Sequence, residues 1–377
     1  MAEEVKESTK EKSSVGRMLQ IGGAVVGTLV GSGFASGQEV MQYFTAYGIP
    51  GVWGAVLTMV LFALMCAAVT YYGWKFAKSE HFSAFRHYCG KYFGTFMDIF
   101  SVLFCFLVGI VMTSGSGAMF EQYFGIPAVA GSTVMALIAL GSAWLGLEKL
   151  TKVLGSTAPI CIVFLVGVSL VTAAMNWGNL ANADAMVAAA DASGNVLRAV
   201  DFAAPLWIVI IVTALNYVAH NIVAGVPFIS KVGTQAKNGK EALWGGLLGG
   251  ILLGLCALAL NFGMLTTYDQ VYMLEVPGLE FAKMLNPVMG AIYAAILIIM
   301  IYNTIVPMMI SVANLFVKDD KDPVKYRAML LIGGQFKFSV LINIIYPFVG
   351  YVGIIFMVVV LVQFLRWKCF GKKEPQE

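Results

Sequence analysis

The stretch GTLVGSGFASGQEVMQYF, residues 27–44, lies where the first long apolar segment of the chain should reach the centre of a bilayer. Its middle, GSGFASG at 31–37, brings together three glycines and two serines, and Gln38 and Glu39 follow directly. Unpaired backbone groups are costly in lipid, so irregular backbone persists only beside a cavity or inside protein. Glycine tolerates unusual dihedrals and serine hydroxyls compete for backbone groups, so the segment is expected to unwind here. Unwinding exposes carbonyls of the first half-helix, which suit a cation, and amides of the second, which suit a carboxylate. Discontinuous helices build transporter sites near the midplane in this way. The residues expected to meet substrate are therefore Gly31, Ser32, Gly33, Phe34, Ala35, Ser36, Gly37 and Glu39.

Glu39 admits two readings. Ser36-Gly37-Gln38-Glu39 has the S-x-x-E form of a capping box, which makes Glu39 the cap of the restarted half-helix. Intramembrane ionisable residues usually serve function, which makes it a proton acceptor or an anchor for a substrate ammonium. The two roles are compatible. A close-packing row of Gly23, Gly27 and Gly31 accounts for the earlier glycines but not for Glu39.

Composition supplies the membrane. Of 377 residues, 59% are hydrophobic and 12% charged, against about 25% charged in an ordinary soluble domain. Lipid can hide that much apolar surface where a single core cannot. The expected class is an all-α integral membrane protein whose partners are the bilayer and a small-molecule substrate. The net charge of +3 comes from basic residues in short loops and points to no nucleic acid. The six cysteines are scattered without metal-ligand spacing, so neither a disulfide framework nor a metal site is expected. No nucleophile elbow, P-loop or HExxH is present, so neither an enzyme nor a cofactor is expected.

Apolar runs separated by polar, Pro or Gly punctuation give about ten spans: 18–45, 51–76, 95–123, 127–147, 150–176, 203–229, 241–266, 286–316, 325–342 and 345–367. Lys and Arg concentrate in the N-tail, in alternate connections and in the C-tail, whereas residues 177–202 hold only Arg198. By the positive-inside rule both termini are cytoplasmic. The chain then divides into a tail (1–17), a five-helix repeat (18–176), an extracellular loop (177–202), a second five-helix repeat (203–367) and a tail (368–377). Residues 177–202 and 267–285 read as solvated loops with short helices, or as a lid over an outward vestibule.

An inverted repeat places a second broken helix at the start of the second half, in span six. PLWIVIIVTALNYVAHNIVAGVPFISKVG carries Asn216, Tyr217, His220, Asn221, Gly225 and Pro227 mid-span, so this span too is expected to be discontinuous. Ordinary interhelical hydrogen bonding is the competing account. A lone intramembrane His220 is either a hydrogen-bonded packing residue or a group titrating near neutral pH.

GSGFASGQEVMQYF, VMTSGSGAMFEQYFGIP, LNYVAHNIVAGVPF and IIYPFVGYVGI resemble the bacterial YkvI-type membrane proteins over nearly the whole chain. That family is related to the amino acid–polyamine–organocation superfamily, with its LeuT-like five-plus-five inverted repeat. The resemblance implies a secondary transporter of a small amino acid or related organic amine in the bacterial cytoplasmic membrane. Substrate would sit between spans one, three, six and eight, adding Ser114, Gly115, Ser116, Tyr217, His220 and Asn221 to the site. The coupling ion would be a proton or sodium. Asn303 and Thr304 offer oxygens on span eight, without the adjacent Ser/Thr pair of sodium-coupled relatives. Lys152, on span five, matches the lysine that replaces the cation in other relatives, or is a snorkelling positive-inside lysine. Coupling candidates are thus Glu39, Lys152, His220, Asn303 and Thr304, with the proton preferred. Lys337 either snorkels outward or pairs with a carboxylate. A rival reading is a transporter-like ligand sensor resembling a spore germinant receptor subunit.

Overall fold

The computed structural model describes residues 13–77, 83–143, 147–316 and 336–370, and among these residues all regular structure is helical. The first span is broken. Helix α1 (Val15–Leu29) ends where Val30 (φ −77°, ψ 95°) and Gly31 (φ −90°, ψ 179°) turn extended. A five-residue α2 (Ser32–Ser36) follows, then Gly37 at φ +86°, then α3 (Gln38–Tyr43). Only glycine takes that left-handed conformation cheaply, and a Cβ at Gly37 would also fall 3.1 Å from the Gly278 amide. The chain turns through Thr45–Tyr47 into α4 (Ile49–Phe76).

Helix α5 (Ala84–Phe124) turns sharply at Gly90 (φ +71°), which folds its first residues back as an arm. The arm is tied by Asp98, which accepts from the Ser83 hydroxyl (2.8 Å) and the Arg86 Nε (2.9 Å). Span three therefore begins before residue 95, and Asp98 lies inside the helix as the anchor of its own arm. Next come α6 (Ala128–Ala143), α7 (Leu147–Met175), a 3-10 turn at Trp177–Asn182 and α8 (Ala183–Ala192). The second half holds α9 (Leu206–Gly233), α10 (Gly239–Leu265), short α11 (Tyr268–Val271) and α12 (Pro277–Leu285), α13 (Pro287–Phe316) and α14 (Phe338–Phe370). Six of these, α4, α5, α9, α10, α13 and α14, contain stretches long and apolar enough to cross a membrane, and α1 and α6 are shorter apolar helices.

Two sequence expectations are corrected. Span six is not discontinuous: α9 runs unbroken from Leu206 to Gly233, with Pro227 inside it. Its polar residues are accommodated within the intact helix. Asn221 Nδ2 donates to Tyr217 O (2.9 Å) and His220 Nδ1 lies 3.2 Å from Asn216 O, so these side chains saturate carbonyls of their own helix. Second, α14 is continuous across the boundary placed between 342 and 345 and begins at Phe338. Most of the span expected at 325–342 lies outside the described residues.

Helix α10 holds this assembly together through a stripe of small residues. A Cβ on Gly250 would strike the Phe62 backbone of α4, and one on Gly249 would fall 2.9 Å from Gly22 O of α1. Without a water-driven hydrophobic effect inside lipid, such close approach is what makes helices adhere. On α1 the contact residue is Gly22. Gly23 meets open space and Gly31 sits against Thr304, so the expected Gly23–Gly27–Gly31 row is not the packing face.

Candidate functional site

The break in the first span opens beside a small, mostly apolar cavity. Ser36 lines it from α2, Met112, Gly115 and Met119 from α5, Leu297 and Ile301 from α13, Val276 from the α11–α12 connection and Phe338 from α14. The short α2 is held in place because the Tyr293 hydroxyl of α13 donates to Ala35 O (2.8 Å). Phe338 forms one wall by pressing on Gly115, where a Cβ would meet its ring at 2.8 Å.

Glu39 does not close a capping box. Ser36 Oγ accepts from Gln38 N (3.2 Å) and donates to Gly33 O (2.7 Å), while the Glu39 carboxylate folds back onto the Cα of Gly33. Tyr217 of α9 donates its hydroxyl to Glu39 Oε2 at 3.4 Å. Glu39 as a whole is 6% exposed. Behind it, the Tyr43 hydroxyl donates to Asn216 Oδ1 (3.0 Å), and Asn216 Nδ2 donates to Pro347 O (2.9 Å). Asn221 Nδ2, oriented by its bond to Tyr217 O, also faces His220 Nε2 at 3.0 Å. That nitrogen must then accept, which places the imidazole hydrogen on Nδ1, facing Asn216 O. Both ring nitrogens of His220 are occupied within α9.

The structure thus gathers the expected residues into two linked groups. Ser36 and Gly115 belong to the cavity; Gly33, Glu39 and Tyr217 form the carboxylate group; the Ser36–Gly33 bond joins them. Phe34 and Ala35 are buried, and a Cβ at Gly31 would lie 3.7 Å from Thr304 Oγ1 on α13. Asn303 precedes Thr304 on the same helix. Ser114 donates to Phe336 O, whereas Ser116 is spent on Thr113 O of its own helix (2.6 Å). The side chains of Ser32 and Lys152 lie outside the described residues. Lys337 is exposed just before α14, in keeping with the snorkelling reading.

Three residues that sequence reasoning passed over close the ends of this arrangement. Gln42 Nε2 donates to Ser339 O (2.8 Å), its Oε1 accepts from Asn343 Nδ2 (3.0 Å), and its carbonyl accepts from Ala199 N (3.1 Å). Glu275 accepts from Ser339 N (2.7 Å) and Ser339 Oγ (2.9 Å). At the opposite face, fully buried Glu241 accepts from Ser14 N (2.8 Å) and Lys237 N (2.9 Å), with Arg17 at 3.5 Å. Apart from the Lys237 amide, four residues before Glu241, these pairings join positions far apart in the chain.

Both long connections on the α14 N-terminal face also fold inward. Arg198 donates from Nε to Ala46 O (2.9 Å) and pairs with Asp191 (2.6 Å). Partial burial opposes the Arg198 charge, but the Asp191 carboxylate outweighs it and holds the guanidinium above its ordinary pKa. Asp184 of α8 accepts from Ile49 N (2.7 Å), and Val276 reaches the cavity wall. The connections expected as loops with short helices do carry short helices, and they pack inward on the α3–α4 turn and the cavity wall.

A broken apolar helix, crossed by others beside a small cavity, is the architecture of a multi-pass membrane protein. Comparison of the fold agrees. A substituted form of the Eremococcus coleocola manganese transporter superposes with a TM-score of 0.51 at 14% identity, covering 96% of this chain and 75% of that one. The substrate-bound, outward-open Na+-coupled sialic acid symporter also gives 0.51, at 15% identity, covering 95% and 78%. At such identity the likeness establishes the fold. In sequence, the chain is similar to the uncharacterized membrane protein YkvI of Bacillus subtilis (strain 168), 23% identical over 359 residues, 92% of this chain and 96% of the relative. It is also similar to the uncharacterized protein YyaD of the same organism, 22% identical over 356 residues, 91% and 96% respectively. No protein-family model matches the chain.

Proposed function

We propose that the protein is a secondary active transporter of a small amino acid or related organic amine, working by alternating access in a bacterial cytoplasmic membrane. The observation that carries this reading is the break at Val30–Gly31, with a cavity on one side and the buried Glu39 carboxylate on the other. An apolar span does not give up its backbone hydrogen bonds and bury a carboxylate for packing alone. Both termini face the cytoplasm in this reading, supported by the alternating Lys and Arg of the connections. Ten spans in two groups of five remain the proposed topology.

The substrate carboxylate meets backbone amides after the break, and an ammonium meets carbonyls at its other edge or Glu39 itself. The helix ends supply the matching partial charges. A proton carried by Glu39 is the preferred coupling, with Lys152 and His220 as further candidates. Sodium between the break and Asn303–Thr304 is the other, and Thr304 faces Gly31 as that arrangement requires.

The test is uptake of labelled amino acids and amines by proteoliposomes, driven by either a pH or a sodium gradient. Proton-driven uptake abolished by Glu39→Gln supports the reading. Proton-driven uptake that survives neutral substitution of Glu39, Lys152 and His220 together removes proton coupling through these groups. Binding without net flux in either gradient removes transport and leaves a sensor.

A further inference from the structure

We propose that the turn at the start of α5 binds an anionic phospholipid, with the lipid phosphate on Arg86 and Lys91 and an acyl chain along the exposed stripe that leads away from them. The site is independent of the solute carried at the broken span. Residues 85–98, FRHYCGKYFGTFMD, interleave Arg86, His87 and Lys91 with five aromatic rings. Gly90 (φ +71°) reverses the chain, and Gly94 receives the returning arm, since a Cβ there would fall 2.3 Å from Arg86 Cα. The inner side of the arm is buried: the Phe85 ring lies 5.0 Å from Phe356 of α14, and the Tyr88 ring 4.4 Å from Tyr72 of α4. That fastening leaves Arg86 on the outer side, its side chain 58% exposed. The turn lies on the face where α4 ends and where α1 and α10 begin.

The charges on this turn are not balanced. Asp98 accepts from Arg86 Nε (2.9 Å) and from the Ser83 hydroxyl (2.8 Å), so it orients the guanidinium without covering it. Among the described residues no other bond engages Arg86, which leaves both Nη groups of the fork for an incoming oxyanion. A planar fork of this kind matches a phosphate. Lys91 is exposed and shares a helix face with Gly94 and Asp98, at i, i+3 and i+7, so it stands one turn from the arm. A third cation, Lys75, lies over the Phe76 ring at 4.9 Å, and that ring packs on His87 of the arm at 4.4 Å. A free phosphate would need only these charges. The helix also presents Tyr92, Phe96, Ile99 and Leu103 at i, i+4, i+7 and i+11, all exposed, as one stripe running from the turn along the span. Tyr92, 89% exposed at the head of the stripe, has the apolar body and polar tip suited to the headgroup level. Cations at the end of an apolar stripe fit a lipid better than a soluble anion.

The experiment is native mass spectrometry of the purified full chain in micelles titrated with phosphatidylglycerol or with phosphatidylcholine of identical acyl chains. Thermal unfolding is followed in the same mixtures. Phosphatidylglycerol should give a saturable adduct and a rise in Tm, with an affinity about tenfold or more above that of phosphatidylcholine. Lys91→Gln should weaken that adduct about fivefold; its side chain holds no other element in place, so the fold is kept. Arg86→Lys retains the charge but loses the fork, and should weaken the adduct as well. Glycerol 3-phosphate, which has the headgroup phosphate without the chains, should bind roughly a hundredfold more weakly than the lipid. Equal binding of the two lipids would overturn the proposal, and so would phosphatidylglycerol binding unchanged in both variants. Glycerol 3-phosphate binding as tightly as the lipid would replace the lipid site with one for a soluble anion.

Discussion

Glu275 and Ser339 are joined twice: one carboxylate accepts from the serine amide at 2.7 Å and from its hydroxyl at 2.9 Å. The pair fixes the first turn of α14, and that turn carries Phe338 onto Gly115. A carboxylate at a helix N-terminus satisfies an orphan amide and favours the positive end of the helix. The same turn is held from the first span by Gln42. Closure of the cavity is thus coupled to the second half of the broken helix through one serine.

Glu275→Gln should loosen that closure. Hydrogen bonds to charged groups contribute about 1.5–3 kcal/mol, and Glu275 is half-buried, so a loss of about 1–2 kcal/mol is expected. Thermal unfolding should show a lower Tm. More tellingly, a cysteine at Met112 or Met119, which line the cavity, should react faster with a water-soluble maleimide applied from the Glu275 face. Unchanged labelling would mean that Glu275 only braces the loop.

Gly33 and Glu39 offer a sharper test of the site. A methyl at position 33 would occupy the space of the Glu39 carboxylate. Gly33→Ala should therefore reproduce much of the Glu39→Gln defect in substrate binding or uptake, while altering no charge. Glu39→Asp, one methylene shorter, should recover part of that loss in the Gly33→Ala background. Such a rescue is a non-additive cycle, as expected for residues in contact. Strictly additive losses would separate the two roles.

The contrast between α1 and α9 shows what the sequence could and could not carry. Both segments place polar and breaker residues in mid-span, but only the first is broken. In GSGFASG the glycines remove the cost of leaving helical dihedrals, so unwinding is readable from composition. In α9 the outcome depends on where Asn221 and His220 direct their side chains, and they return to carbonyls of their own helix. Composition does not encode that choice. The cavity was readable on the faces contributed by Ser36 and Gly115, whereas its apolar walls are ordinary Met, Leu and Ile until the fold aligns them. Glu275, Gln42 and Glu241 were opaque for a third reason: each partners a residue distant in the chain.

Two glycines one residue apart should respond oppositely to enlargement. Gly22 packs against Gly245 and Gly249 of α10, with a Cβ falling 3.2–3.3 Å from their backbone atoms, whereas Gly23 meets nothing within 4 Å. Gly22→Val should cost about 1–3 kcal/mol through overpacking. Gly23→Ala should be neutral or stabilise by up to about 1 kcal/mol, since alanine is the better helix former. Thermal unfolding of the two variants in one detergent decides it. Equal effects would show that α1 and α10 do not approach each other as described.

Glu241 answers at the opposite face to Glu275. Its carboxylate is fully buried, accepts from the amides of Ser14 and Lys237, and lies 3.5 Å from Arg17, so it pins the start of α1 to the start of α10. If transport alternates access around the break, α1 must leave this contact whenever the cavity opens toward the N-terminal side. Glu241→Gln keeps the shape but weakens every bond that the charge reinforces. In that variant a cysteine at Ile21, fully buried in the closed arrangement, should become reactive to a maleimide applied from the N-terminal face. Labelling should rise several-fold and fall back when a substrate that stabilises the closed form is added. Arg17→Ala should give a smaller effect, because the two backbone bonds to Glu241 survive it. If Glu241→Gln lowers Tm without changing Ile21 labelling, the residue is a structural cap, and opening on this side must pivot elsewhere on α1.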